Sequence, residues 1–351
     1  MNRSPIKGRG AIGNPNGRFA TRETVIQAAP ATDARPATSY TAMRARSIVS
    51  HNQSPDIPFD RSINPYLGCE HGCVYCYARP SHSYLDLSPG LDFETRIFYK
   101  PNAIDLLREE WSKPGYVAKP ITIGANTDPY QPAEKRLRIT RRLLEVFRDH
   151  RHPVSIITKG SLLQRDLDLF AELAERRLVS VAVSVPTLSA DLKRVMEPRV
   201  PAAGARFAAI RELRRIDVPV TVMLAPLIPA INDNEIESIL ERAAESGADA
   251  AAWILLRLPH ELKDVFRDWL HSHFPDRAER VLSLLRQASG GRDYDNRFGR
   301  RQTGSGAYAK LLMQRFRVAC TKHGLATGEQ RQDLDCHHFI PPSGAQLTLD
   351  W

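Results

Sequence analysis

Long apolar runs are missing from this sequence. No stretch of about 18 apolar residues occurs, and residues 1–30 hold nothing like a signal peptide, so neither a membrane span nor a secretory leader is expected; the chain reads as soluble and cytoplasmic. Cysteine is scarce: five in 351 residues, an odd number, which gives no basis for a disulfide framework. Acidic residues are scarce at the start. The first 50 residues hold eight Lys or Arg against Glu23 and Asp33 alone, so most of the net charge of +9 sits in a segment rich in Gly, Pro, Ala, Ser and Thr. That segment has no sustained apolar period. It buries too little apolar surface to offset its chain entropy, and residues 1–50 are expected to form a disordered basic tail.

Beyond the tail, short apolar runs alternate with amphipathic ones. Residues 61–67, 120–125, 153–158, 178–185, 218–225 and 250–256 read as strands. Residues 104–111, 137–147, 167–176, 202–215 and 234–245 carry helical periodicity between them. This order implies parallel strands with right-handed crossovers, and six units imply an α/β fold, a partial (β/α)6 TIM-like barrel. The barrel is assigned to residues 51–260 and a helical C-terminal extension to residues 261–351. Functional residues are then expected just beyond the C-terminal ends of the strands.

The strongest motif lies there, after the first strand: Asn64-Pro-Tyr-Leu-Gly-Cys69-Glu-His-Gly-Cys73-Val-Tyr-Cys76-Tyr. Three thiolates with three and then two intervening residues can converge from one loop on three irons of a 4Fe-4S cluster, leaving the fourth iron open to a substrate. Gly68 and Gly72 suit a loop that visits positive φ. The same triplet admits a zinc knuckle with His71 or a distant residue as fourth ligand, although no second paired-cysteine element of the zinc-ribbon kind is present. Two function classes follow: a radical enzyme, and a metal-stabilised nucleic-acid-binding module without radical chemistry.

In its cysteine spacing, with Tyr75 just before the last cysteine, the chain resembles the radical S-adenosylmethionine superfamily, and within it the spore photoproduct lyase branch. The resemblance implies a 4Fe-4S cluster and S-adenosylmethionine as cofactors, with the methionine amino and carboxylate groups on the open iron. It also implies reductive cleavage to a 5′-deoxyadenosyl radical, fed by an electron donor such as flavodoxin or ferredoxin. Tyr75 inherits a place near the adenine; core packing beside the cluster is the other reading. Gly124-Ala-Asn126-Thr127-Asp128-Pro follows the second strand, where the family binds the methionine amino group, although Asn-Thr-Asp-Pro also makes a good turn. Lys159 and Ser184, at the ends of strands three and four, correspond to groups that hold the methionine carboxylate. Glu197-Pro-Arg199 belongs to the same resemblance and reads equally as a surface salt bridge. The segment 225–235, with Ile228, resembles the one whose backbone packs on adenine. One departure stands out. Residues 121–128 lack the hydrogen-donating cysteine of the lyases, so the same repair route is not expected. Cys320 and Cys336, the latter beside His337 and His338, are the remaining candidates for a hydrogen donor or second site, or are simply buried.

Two basic segments and the C-terminus remain. Residues 135–151 hold seven Lys or Arg on an amphipathic helix, a solvated face or a phosphate-binding one. Residues 292–317 mix Arg297, Arg300 and Arg301 with Tyr294, Phe298 and Tyr308, a combination suited to a nucleic acid or to a small anion under a capping loop. Gln346 to Trp351 resembles a short sliding-clamp docking motif.

Overall fold

A computed structural model describes residues 5–20, 36–328 and 333–342. Six strands lie side by side in chain order: β1 (Arg61–Ile63), β2 (Ile121–Ile123), β3 (Val154–Thr158), β4 (Val179–Ser184), β5 (Val220–Leu227) and β6 (Ala250–Leu255). All neighbouring pairs are parallel. The crossovers contain α1 (Ala103–Trp111), α2 (Ile139–Asp149), α3 (Leu167–Ala174), α4 (Ala203–Arg215) and α5 (Ile236–Glu245). A short strand, Val49–His51, adds antiparallel to β1 at the open edge. The described sheet does not close on itself, which is the partial-barrel architecture expected.

Residue choice explains the curvature and the open interior. Val154, Ile156, Val181, Val183, Val222 and Leu224 are buried against Leu143, Phe147, Phe170, Phe207 and Ile239 of the helices, each such side chain contributing about 1.5–3 kcal/mol. The alternate positions are mostly small or hydroxylated, Ile157 and Met223 excepted. Ser155, Ser180, Ala182, Thr221 and Ala225 are only half-buried on the opposite, concave face. The expected strand 61–67 breaks at Asn64-Pro65, and Tyr66–Leu67 leaves the barrel to pair with Arg96–Tyr99 in a separate three-stranded sheet.

The C-terminal extension is helical, with α6 (Leu262–His273), α7 (Ala278–Ala288) and α8 (Gly306–His323). From the first two, Leu262, Phe266, Trp269 and Leu285 share a second core with Cys73, Val74, Tyr75 and Ile228 over the mouth of the barrel. Leu255 donates its N–H to the Gln302 carbonyl at 2.8 Å, and Arg301 reaches Asp56 at 2.6 Å, so this segment links the loops of the two edge strands.

The N-terminal expectation needs correction. Residues 5–20 and 36–50, assigned to a disordered tail, are packed on the framework: Ser39–Ala42 pairs with Arg96–Tyr99, and Gly10 and Ala11 donate their N–H groups to Glu94. Composition misleads here because the anchors are backbone N–H groups and single charged side chains, which leave no apolar period. Residues 1–4 and 21–35, and the motif from Gln346 to Trp351, lie outside the described residues. No described helix is long and apolar enough to cross a membrane.

Candidate active site

The loop leaving β1 passes through positive φ at Gly68 (81°) and Gly72 (67°). A Cβ on Gly72 would come within 2.7 Å of the Glu94 carboxylate, so only glycine fits there without a shift. The loop carries Cys69, Cys73 and Cys76, none of them bridged and all largely withdrawn from water. Burial pushes all three thiols up. Their release as thiolates therefore calls for a bound cationic group in place of the lost water, which is what a metal cluster provides. Among the described residues no three His, Cys, Asp or Glu side chains converge as a single metal ion would need. Ligands of a cluster each take their own iron and need not meet at one point. His71, the zinc reading's fourth ligand, instead has Nδ1 3.2 Å from Asp128 Oδ2, close enough for charge pairing although its N–H direction is poor for a hydrogen bond.

Buried polar groups hold the loop in place. The fully buried Arg79 donates from Nε to the Cys73 carbonyl at 2.9 Å and from its terminal nitrogens to the carbonyls of Gly72, Pro89 and Gly90, and it pairs with the buried Glu94. The buried carboxylate of Glu70 accepts from Tyr40 Oη at 2.8 Å and pairs with Arg199 at 3.1 Å. Gln131 bonds both the Glu70 N–H and the Gly68 carbonyl. Asn64 Oδ1 receives the N–H groups of Asn126 at 2.7 Å and Thr127 at 3.3 Å, which fastens the loop after β2 to the cysteine loop.

The residues singled out at the strand ends do gather at this end of the barrel, and they divide into two sorts. Most are engaged by the protein. The Asp128 carboxylate accepts from Thr158 Oγ1 and the Lys159 N–H, both at 2.7 Å; burial alone would raise its pKa, but His71 and these bonds hold it below the usual range. Glu197 is fully buried, not at the surface, and bonds Tyr75 Oη and Arg206 while Lys159 Nζ lies 3.5 Å away. Burial opposes its charge, yet Arg206 and Lys159 bring its pKa down to about 2. Lys159 Nζ also donates to the Ala225 carbonyl at 3.0 Å and sits 5.4 Å over the Tyr75 ring. Thr127 donates to the Tyr66 carbonyl, and the Ile228 N–H goes to Asn232 Oδ1. The other sort is unclaimed: the side chains of Asn126 and Ser184 make no hydrogen bond among the described residues.

A family model described as the radical SAM superfamily matches residues 63–243. The chain belongs to the radical S-adenosylmethionine superfamily. Members of that superfamily use a 4Fe-4S cluster and S-adenosylmethionine. An uncharacterised protein of Mycobacterium tuberculosis is 37% identical over 233 residues, 66% of this chain and 68% of that one. Another, of Methanocaldococcus jannaschii, is 29% identical and covers 49% of this chain and 62% of its own length. Among solved structures, spore photoproduct lyase complexed with dinucleoside spore photoproduct is similar over 82% of this chain and 80% of that one, with a TM-score of 0.57 and 14% identity. That level of identity carries the fold alone, and the fold is the partial barrel of that radical S-adenosylmethionine enzyme.

Several residues of this superfamily member escaped sequence reasoning. Arg79, Glu94 and Arg206 look like ordinary charged residues of amphipathic segments, and only their complete burial reveals them. Tyr77, directly after Cys76, is 45% exposed, donates from Oη to the Ala125 carbonyl and lies under Arg257, 4.6 Å from its ring centre. The two leftover cysteines are remote from the site: Cys320 is buried in the core on α8, and Cys336 follows Asp335, which pairs with Arg177 at the N-terminal side of β4. Of the basic segments, Arg141 pairs with Asp166 and Asp168 and Arg148 with Glu172, giving a salt-bridged face. Arg297 pairs with Asp295 and Arg301 with Asp56, and the Arg301 guanidinium also lies 4.7 Å from the ring centre of the exposed Phe298, while Arg300 is exposed and Tyr294 half-buried.

Proposed function

We propose that this chain holds a 4Fe-4S cluster on Cys69, Cys73 and Cys76, cleaves S-adenosylmethionine reductively, and acts on a nucleic acid. The observation that carries the reading is the cysteine loop: three unbridged thiols at the C-terminal end of β1, two of them buried and Cys76 half-buried, with the loop held by the fully buried Arg79 and Glu94. When bound, the cluster supplies one electron that breaks the sulfonium bond to C5′, giving methionine and a 5′-deoxyadenosyl radical that takes hydrogen from the substrate. The chain's own residues bind and orient. Asn126 and Ser184, with free polar side chains, serve the amino and carboxylate groups of the methionine part. Lys159 adds positive charge beside them while Glu197 restrains it, and Tyr75, locked to Glu197, forms a wall of the adenine side. Thr127, Asp128, Arg199 and Ile228 act at one remove, by shaping the loops. Residues 51–260 form the catalytic core, and α6 and α7 of the C-terminal extension cover its mouth. A small donor such as flavodoxin or ferredoxin supplies the electron, in the cytoplasm.

A nucleic acid is favoured by the net charge of +9, by Arg257 over the exposed Tyr77 near the mouth, and by Arg301 over the exposed ring of Phe298, with the exposed Arg300 next to it in sequence. The absence of cysteine from residues 121–128 separates the reaction from photoproduct reversal. The test is direct. Anaerobically purified protein is expected to be brown, with about four irons per chain, and Cys69→Ala, Cys73→Ala or Cys76→Ala each to lose colour and S-adenosylmethionine cleavage. A mutant retaining full iron, or a colourless zinc-bearing wild type, would overturn the assignment.

A further inference from the structure

The N-terminal stretch has a relation to the cysteine loop that the barrel does not require. Gly10 lies so close to the loop that a Cβ there would be 1.9 Å from the Gly72 carbonyl oxygen. Gly10 and Ala11 donate their N–H groups to the two oxygens of Glu94, at 3.1 and 2.8 Å, and Arg9 donates to the Glu94 carbonyl at 3.1 Å. The same carboxylate pairs with Arg79, whose Nε holds the Cys73 carbonyl. Ala11 is fully buried in the core that contains Cys73, Val74 and Tyr75. Further along, Asn14 and Asp92 exchange two hydrogen bonds, and the Arg18 N–H reaches Glu261 at 2.7 Å beside α6. A strap thus crosses the cysteine loop and is sewn down on both sides of it. Displacing the strap frees the Glu94 carboxylate, which changes the grip of Arg79 on Cys73 within two contacts.

We propose that residues 9–14 are a built-in part of the cluster site, a clasp that fixes the carbonyl side of the cysteine loop, with Glu94 as its positioning residue. The proposal rests on the cluster reading. The test uses full-length protein reconstituted anaerobically with iron and sulfide: wild type, Gly10→Ala, Glu94→Gln, and Lys7→Ala as an exposed control on the same stretch. Gly10→Ala and Glu94→Gln are each expected to load iron, to release it to a chelator about tenfold faster than wild type, and to change the electron paramagnetic resonance signal of the reduced cluster. Lys7→Ala is expected to match wild type in both. The two variants perturb the contact from opposite sides, so if one fails to fold the other decides. Release rates and spectra equal to wild type in the folded variants would overturn the clasp alone. A wild type that takes up no cluster would overturn the cluster reading and the clasp with it.

Discussion

Removing one member of the buried pair Glu197–Arg206 should be among the costliest single changes in the core. Glu197 is 0% and Arg206 1% exposed, so neither charge has water to fall back on. Arg206→Met leaves Glu197 with the Tyr75 hydroxyl and, as its one remaining nearby cation among the described residues, Lys159 at 3.5 Å, and strips donors from the carbonyls of Ser184 and Pro201. Glu197→Gln leaves the guanidinium uncompensated. Breaking a buried pair from one side costs about 3–5 kcal/mol. The lowered pKa of Glu197 points the same way: a drop from 4.5 to about 2 corresponds to about 3 kcal/mol. With a urea slope of about 2–3 kcal/mol per molar, each single variant should unfold at about 1–2 M less urea than wild type, followed by circular dichroism under anaerobic conditions. The double variant Glu197→Leu, Arg206→Met should lose much less than the sum, because replacing both charges by apolar groups is often close to neutral. The sign with pH follows. A carboxylate with a lowered folded pKa contributes fully above its unfolded pKa, near 4.5 for Glu197, and its contribution fades as pH falls towards 2. That acid limb should shrink in the double variant. Additive losses, with an unchanged acid limb, would refute the claim that these two charges hold each other.

Three further expectations concern the cosubstrate, acid stability and the substrate. Asn126→Ala and Ser184→Ala should each weaken S-adenosylmethionine binding by about 1 kcal/mol, roughly fivefold, and Lys159→Met by more, with the iron content unchanged; titration of the reduced cluster reads this, and unaltered binding in all three would remove them from the site. Burial lowers the pKa of His82 to about 4 and of His152 to about 3, so the unfolded chain takes up protons that the folded one refuses. Stability should therefore fall as pH drops from about 6.5 to 4, by about 2.7 kcal/mol per pH unit at most for the two together, and His82→Phe with His152→Phe should flatten the slope in urea melts taken across that range. Binding to single-stranded DNA, duplex DNA or RNA should weaken steeply with salt, and Arg257→Ala or Arg300→Ala should lower the salt slope by about one each; filter binding that is negligible for all three at low salt would remove nucleic acid from the reading.

The barrel was legible in the sequence because parallel strands buried under helices need Val and Ile in short runs, as in Val179–Ser184 and Val220–Leu227, and the amphipathic helices between them announce themselves by period. The cysteine triplet was legible for a different reason: a cluster fixes ligand type and spacing within one loop. What the sequence concealed was the strand break after Ile63, where Asn64 turns from ladder partner to acceptor for the loop after β2, and the packing of residues 5–20, whose anchors are backbone N–H groups.

The site's supporting shell was illegible for a common physical reason. A buried charge is recognisable only by its partner, and the partners here lie far apart along the chain: Arg79 with Glu94 across the loop, Tyr75 with Glu197 and Arg206 from another crossover, Asn64 with Asn126 from the next strand. No local pattern of one sequence encodes such a pairing. The same fact explains why many residues expected to touch the cosubstrate also bond the protein. A loop that must hold three thiols apart around a cluster has little apolar surface of its own, so its shape has to come from directional bonds, and Asp128, Glu197 and Arg199 are used up in making them. Asn126 and Ser184 remain free because the residues beside them take over the holding, through the backbone of Asn126 by Asn64 and the backbone of Ser184 by Arg206. At this site, then, Asn126 and Ser184 each combine a backbone held by the protein with a side chain that makes no hydrogen bond among the described residues.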